Sequence, residues 1–269
     1  MLTVTIIQTN LFWEDKKANL EMLSKKINSI REKTEVVFLP EMFNTGFSIR
    51  PEILAEKMDG ETIGWMKNIA SLKKIVLTGS LMIEEDGRYY NRLIWMLPDG
   101  TCGIYDKRHL FAFGNEDQYF SAGNKRLIAR IKGWRINLLV CYDLRFPVWA
   151  RQSNSLQPDP ESETRLPEYD IQVYVANWPE RRSTAWKTLL QARAIENQCY
   201  VIGVNRIGKD GNEIYYSGDS RIIDPLGEIL YQGPNEEDIY TFTLQKKNLE
   251  EVRDKFPFWK DADTFDLII

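Results

Sequence analysis

Residues 136–147 read INLLVCYDLRFP: a run dominated by branched apolar side chains, then Cys141, then a polar, arginine-bearing stretch. Two other segments have the same character, VVFLPE at 36–41 and IQVYVAN at 171–177. None of the three alternates between apolar and polar positions. A strand with one wet face would alternate, so these strands belong to sheets covered on both sides. Before, between and after them lie stretches with helical spacing. Leu20, Leu23, Ile27 and Ile30 recur on one face of 15–33, and 61–74 (ETIGWMKNIASLKK) and 183–198 (STAWKTLLQARAIENQ) read as further helices. A last helix falls around 246–255. Alternating strands and helices predict a layered α/β fold, as one domain over 1–269. Asp-Gly pairs at 86–87 and 99–100 mark hairpin-like connections.

One stretch departs from this pattern. Residues 151–170 (RQSNSLQPDPESETRLPEYD) are polar and proline-bearing, with no large apolar side chain between Leu156 and Leu166. Such a composition buries little, and the stretch is expected to be a surface loop insertion.

Composition narrows the function. The chain has 35 basic and 39 acidic residues, a net charge of −4, so nothing electrostatic favours a nucleic-acid partner. No apolar run is long enough to cross a membrane, and the start, MLTVTIIQTN, lacks the marks of a signal peptide. Three widely spaced cysteines (102, 141, 199) and a single histidine, His109, make a disulfide framework or a zinc site a poor reading. A cytoplasmic protein without metal or cofactor is expected.

Cys141 stands where a buried strand ends, and open α/β sheets carry their chemistry at such carboxyl ends. Glu41 closes VVFLP in the same way, and Lys107 follows the strand-like TCGIYD. The three groups are complementary. A free thiol is only about 3% thiolate at pH 7, so removing its proton costs about 2 kcal/mol without help. A buried carboxylate can take that proton, and an ammonium can hold the oxyanion formed when sulfur attacks a carbonyl or nitrile carbon. Each residue has a plainer reading: Cys141 as core filler, Glu41 as a loop carboxylate, Lys107 as a solvated charge. Cys102 and Cys199, within strand-like runs, are read as structural. A Cys141–His109 pair is the competing catalytic arrangement.

The segments LPEMFNTGF (39–47), YDKRHLF (105–111) and LLVCYDLRFP (138–147) resemble, in order and spacing, the glutamate, lysine and cysteine motifs of the nitrilase superfamily of carbon–nitrogen hydrolases. The resemblance spans nearly the whole chain. It implies Glu41 as general base, Lys107 as oxyanion stabiliser and Cys141 as nucleophile. GNEDQYFSAG (114–123) resembles the family stretch with a second glutamate, which falls on Glu116 and would orient Lys107. The family fold is a four-layer αββα sandwich that pairs by sheet-on-sheet association into homodimers or larger homo-oligomers. EMFNTGF, YVANWPERR, LLQARAIENQ and FPFWKDADTF are most similar to the omega-amidase subgroup, which acts on 2-oxoglutaramate and 2-oxosuccinamate.

On this reading the chain is an omega-amidase-type enzyme. The backbone N–H of Tyr142 shares the oxyanion with Lys107, and the substrate is a small amide bearing a carboxylate. Arg181 is the candidate cation for that carboxylate and Trp178 a candidate pocket wall. Their plainer reading is a surface arginine and a packed tryptophan. Rival readings are another hydrolase of the same fold, such as a nitrilase or N-carbamoyl amidase, and a non-catalytic binding protein that kept the fold.

Overall fold

The computed structural model describes residues 1–152, 167–263, 265 and 267. Along the chain come β1 (Leu2–Gln8), β2 (Val36–Phe38), β3 (Val76–Glu85), β4 (Arg88–Met96) and β5 (Cys102–Asp106). Next are β6 (Leu127–Ile131), β7 (Trp134–Val140), β8 (Ile171–Ala176) and β9 (Tyr200–Asn205). The short strands β10 (Ile207–Lys209), β11 (Tyr215–Ser217), β12 (Arg221–Ile223) and β13 (Ile229–Gln232) precede β14 (Asp238–Leu244).

Among the described residues two six-stranded sheets dominate, in the orders β14-β1-β2-β3-β4-β5 and β13-β12-β9-β8-β7-β6. The centre of each is parallel, β1-β2-β3 in one and β7-β8-β9 in the other, with antiparallel strands towards the edges. The β3–β4 hairpin turns at Asp86 and Gly87, both with positive φ (51° and 72°), the mirror-image turn that Asp-Gly favours.

The sheets pack face to face. Val4, Ile6 and Phe38 from the first meet a layer holding Leu138, Val140 and Val173 from the second. The helix Lys16–Ser29 buries Leu20, Leu23 and Ile27, and the helix Glu61–Lys73 buries Ile63, Met66 and Ile69, both against Ile7, Val37 and Leu77 on the outer side of the first sheet. On the outer side of the second, the helix Ser183–Asn197 sets Trp186 and Leu190 over Gly203 of β9; a Cβ there would lie 2.5 Å from Leu190 Cδ1. The result is the expected αββα sandwich. It also explains why the central strands are apolar throughout: each has one face between the sheets and one beneath helices.

The expected surface loop at 151–170 needs correction at its ends. Residues 153–166 lie outside the described residues. Gln152, Tyr169 and Asp170, however, are buried. Gln152 Nε2 donates to Asn197 O at 2.6 Å, and Tyr169 OH to Ala150 O at 2.5 Å. Asp170 pairs with Arg135, Arg253 and Lys246, which ties the start of β8 to the terminal helix Lys246–Lys255. A polar composition hid these anchors, because their burial is made possible by partners far away in sequence.

Candidate active site

Glu41 lies three residues beyond the end of β2, in a turn fastened to β3. Leu39 N donates to Thr78 O (2.7 Å), Met42 N to Ser80 Oγ (3.0 Å) and Phe43 N to Ser80 O (3.1 Å). Gly79 makes this close approach possible, since a Cβ there would sit 2.8 Å from Phe43 and 2.9 Å from Leu39. Lys107 directly follows β5, its N–H bonded to Asn91 O of β4 at 3.0 Å. Glu116 opens the short helix Glu116–Tyr119.

These elements converge on one buried cluster. Lys107 Nζ donates to Glu41 Oε1 at 2.9 Å and to Glu116 Oε2 and Oε1 at 2.8 and 3.1 Å. All three side chains are fully buried. Asn91, which the sequence reading passed over, spreads its amide across both carboxylates, with Nδ2 2.8 Å from Glu41 Oε1 and 3.0 Å from Glu116 Oε1. Asn177 N donates to Glu41 Oε2 at 2.8 Å, and Phe111 N to Glu116 Oε2 at 2.7 Å. Glu41 is thus buried, as expected of the base, but not among apolar groups alone: it accepts three N–H groups.

Cys141 follows β7 at the start of the 3-10 helix Cys141–Arg145. Its φ is +44°, in the left-handed region that costs an L-residue roughly 1–2 kcal/mol. Strain of this kind persists only where surrounding structure enforces it, and it is frequent at functional sites. Two features of the turn enforce it here: Asp143 Oδ2 accepts Val140 N (3.0 Å), and its Oδ1 accepts His109 N (3.0 Å). The thiol is half-buried and approaches Asn177 O at 3.9 Å. Tyr142 lies in the first turn of the same helix, where backbone N–H groups lack intrahelical acceptors.

Electrostatics set the resting protonation states. Burial pushes the Cys141 thiol well up, the Glu41 charge pushes it further, and Lys107 opposes both. The sulfur therefore rests as a thiol. Burial works against the Lys107 ammonium, but Glu116 and Glu41 outweigh it and hold its pKa above the usual lysine value. Glu116 is raised, by burial first, with Lys107 pulling the other way.

Cys141 and Lys107 open onto a cavity of about 200 Å³. Trp178 and Arg181 line it, as the sequence reading expects, and so do Arg145 and Arg182, which it did not single out. Arg181 is exposed, whereas Trp178 is buried, its ring 5.4 Å from Trp186. Asn205 Oδ1 accepts Trp178 N (2.8 Å) and its Nδ2 donates to Trp178 O (2.9 Å), fixing the Asn-Trp-Pro turn beneath the cavity. His109 turns to Asp143 rather than to sulfur, and stacks on Phe146 at 3.8 Å. Cys199 is buried with its pKa pushed up to about 12 by desolvation, and Cys102 is exposed at the start of β5.

An αββα sandwich with a thiol, two carboxylates and an ammonium gathered beyond the strand ends defines a class of hydrolase. The family model for carbon–nitrogen hydrolases matches residues 3–254, and the chain belongs to that family. Among curated relatives it is 42% identical to Omega-amidase YafV of Escherichia coli K12, over 99% of this chain and 98% of that one. It is 30% identical to the 2-oxoglutaramate amidase of Bacillus subtilis, over 96% of each. Among solved structures it is similar to XC1258 from Xanthomonas campestris, a CN-hydrolase superfamily protein with an arsenic adduct in its active site. The TM-score is 0.94, with 41% identity over 99% of each chain. The chain is thus an enzyme that hydrolyses carbon–nitrogen bonds. Among the described residues, no helix is long and apolar enough to cross a membrane.

Proposed function

We propose that this enzyme hydrolyses the omega-amide of a small 2-oxo acid, 2-oxoglutaramate or 2-oxosuccinamate, to the dicarboxylate and ammonia. The observation that carries the reading is one cavity joining Cys141 and Lys107 to arginines that make no ion pair among the described residues: amide chemistry at one end, carboxylate recognition at the other. Relatives named for omega-amidase and 2-oxoglutaramate amidase activity support it. An arsenic adduct in the active site of the Xanthomonas protein fits a thiol at that position.

Glu41 takes the proton of Cys141 as sulfur attacks the amide carbon, and the carbonyl electron pair moves onto oxygen. Lys107 has three N–H bonds. The carboxylates of Glu41 and Glu116 occupy two, and the third, together with the N–H of Tyr142, meets the oxyanion. Glu116 holds Lys107 in place. Collapse breaks the C–N bond; Glu41 passes its proton to nitrogen, ammonia departs, and a thioester remains. Water then adds to the thioester, giving its proton to Glu41; the C–S bond breaks and the proton returns to sulfur. The cycle balances without cofactor or metal. Trp178 as a wall of the cavity and Arg181 at its mouth are our candidates for contact with the incoming substrate, and we read the protein as one hydrolase domain forming a cytoplasmic homodimer or larger homo-oligomer.

The test is ammonia release from 2-oxoglutaramate compared with glutamine, a simple nitrile and an N-carbamoyl amino acid. Fast turnover of 2-oxoglutaramate alone, lost in Cys141→Ala, is expected. Preference for the nitrile or the carbamoyl compound would assign another chemistry to the same site, and no turnover of any would leave a binding protein.

A further inference from the structure

The substrate reading requires a cation for the carboxylate, and the cavity offers Arg145, Arg181 and Arg182 beside the already committed Lys107. Their surroundings differ. Arg181 is exposed and makes no side-chain hydrogen bond or ring contact among the described residues. Arg145 is exposed too, its guanidinium 5.1 Å above the Trp178 ring. Arg182 is half-buried, its guanidinium 5.0 Å above the Phe111 ring.

Arg182 is also held at its backbone. Trp178 Nε1 donates to Arg182 O at 2.8 Å, and Arg182 N to Pro179 O at 3.0 Å. The turn beneath it is the one clamped by Asn205. A guanidinium on a fixed turn, set over an aromatic face, presents its fork of donors with less left to order than a free surface arginine.

We propose that Arg182 is the carboxylate receptor of this cavity, binding the acid group at the end of the substrate remote from the scissile amide. The assignment rests on the substrate class proposed above. A partly desolvated cation without a counter-ion is costly, and an incoming carboxylate removes that cost. The acid that lines the cavity does not. Asp210 lines the same cavity, but its Oδ1 accepts Asn212 N (2.8 Å) and Ile214 N (3.0 Å) and its Oδ2 accepts Tyr216 OH (2.9 Å). Burial first, then the neighbouring Arg181, depresses the Arg182 pKa, as expected of a cation awaiting an anion. Arg181 and Arg145, at the wet rim, would draw anions towards the cavity with little effect on which one is held.

The experiment compares kcat/KM for 2-oxoglutaramate and for butyramide, a short amide without a carboxylate, in wild type and in Arg182→Met, Arg181→Met and Arg145→Met. The ratio of the two values is expected to fall by about 10²-fold or more in Arg182→Met, mainly through KM for the charged amide. It should fall less than about tenfold in each of the other two, and Arg182→Lys should recover part of the loss. If Arg182→Met is poorly folded, Arg182→Gln and inhibition of butyramide hydrolysis by 2-oxoglutarate give the same reading, the inhibition weakening when the guanidinium is removed. A ratio unchanged at 182, or a larger fall at 181 or 145, overturns the assignment while leaving the substrate class intact. A wild-type enzyme with no preference for the charged amide overturns both.

Discussion

His109 places its ring Nδ1 2.8 Å from Asp143 Oδ1, two residues beyond Cys141, and not against the sulfur. Asp143 is fully buried and accepts four donors: the ring and backbone N–H of His109, Tyr105 OH and Val140 N. The histidine thus stitches the stretch after Lys107 to the turn that bears Cys141, which agrees with the proposal that Glu41 moves the proton.

This arrangement ranks two substitutions. Glu41→Gln removes the proton acceptor and should lower turnover by about 10²-fold or more. His109→Asn keeps a donor within reach of Asp143 and should cost less than about tenfold. Steady-state ammonia release from both variants, with thermal unfolding as a folding control, decides the matter. A dead histidine variant beside an active glutamine variant would restore the cysteine–histidine arrangement.

The sequence exposed the layers because the central strands are continuously apolar, and it exposed Glu41 and Cys141 because each follows such a strand; Lys107 was legible only as the residue after the short strand-like TCGIYD, which forms the half-exposed edge strand β5. Asn91 and Asn177 were not legible. Each looks like an ordinary polar residue in or after a strand, and only the β4–β5 register and the packing of the two sheets bring their amides to Glu41. Arg182 stands next to Arg181, and nothing local tells which of two adjacent arginines is half-buried. The positive φ of Cys141 is equally silent, since cysteine carries no mark of left-handed backbone.

Asn91 has a readable consequence. Its Nδ2 is shared by two carboxylates, and donation to a carboxylate favours the ionised form. The Glu116 pKa, already raised by burial, is restrained by this bond. Asn91→Leu should therefore raise it further, so the acid limb of the kcat profile moves to higher pH and the plateau drops by about tenfold or more. A pH–rate profile identical in shape to wild type would mean that the bridge is only packing.

Asp170 should govern acid stability at the opposite end of the sheet. Burial alone would raise its pKa, but Arg135, Arg253 and Lys246 outweigh burial and hold it below the usual aspartate value. A depressed folded pKa gives stability that is present above the unfolded value of about 3.9 and is lost as pH falls through the folded one. Asp170→Asn leaves buried Arg253, together with half-buried Arg135 and Lys246, without their carboxylate and should cost about 3–5 kcal/mol at neutral pH. The gap from wild type should narrow as pH falls below about 4. Urea unfolding at pH 7 and at pH 3.5 measures both; a gap that stays constant would show that the ion pairs contribute nothing that titrates.

Lys107 joins stability to chemistry, because its ammonium is the main counter-charge of two fully buried carboxylates. Lys107→Met keeps a similar stem but leaves Glu41 and Glu116 facing each other with Asn91 as their shared donor. Breaking a buried pair in this way costs about 3–5 kcal/mol, so the variant should be measurably less stable at neutral pH. Protonation of one carboxylate relieves the repulsion, and the loss should shrink as pH is lowered. The rate of acyl-enzyme formation should fall separately, by about 10²–10³, because a preorganised donor to the oxyanion is gone. Substrate affinity should change less, since a neutral amide oxygen gains less from an ammonium than an oxyanion does. The double variant Lys107→Met with Glu116→Gln separates the two effects. With one carboxylate neutralised, stability should largely return while single-turnover ammonia release stays slow. Recovery of both together would reduce Lys107 to a counter-ion; recovery of stability alone would place its charge in the transition state.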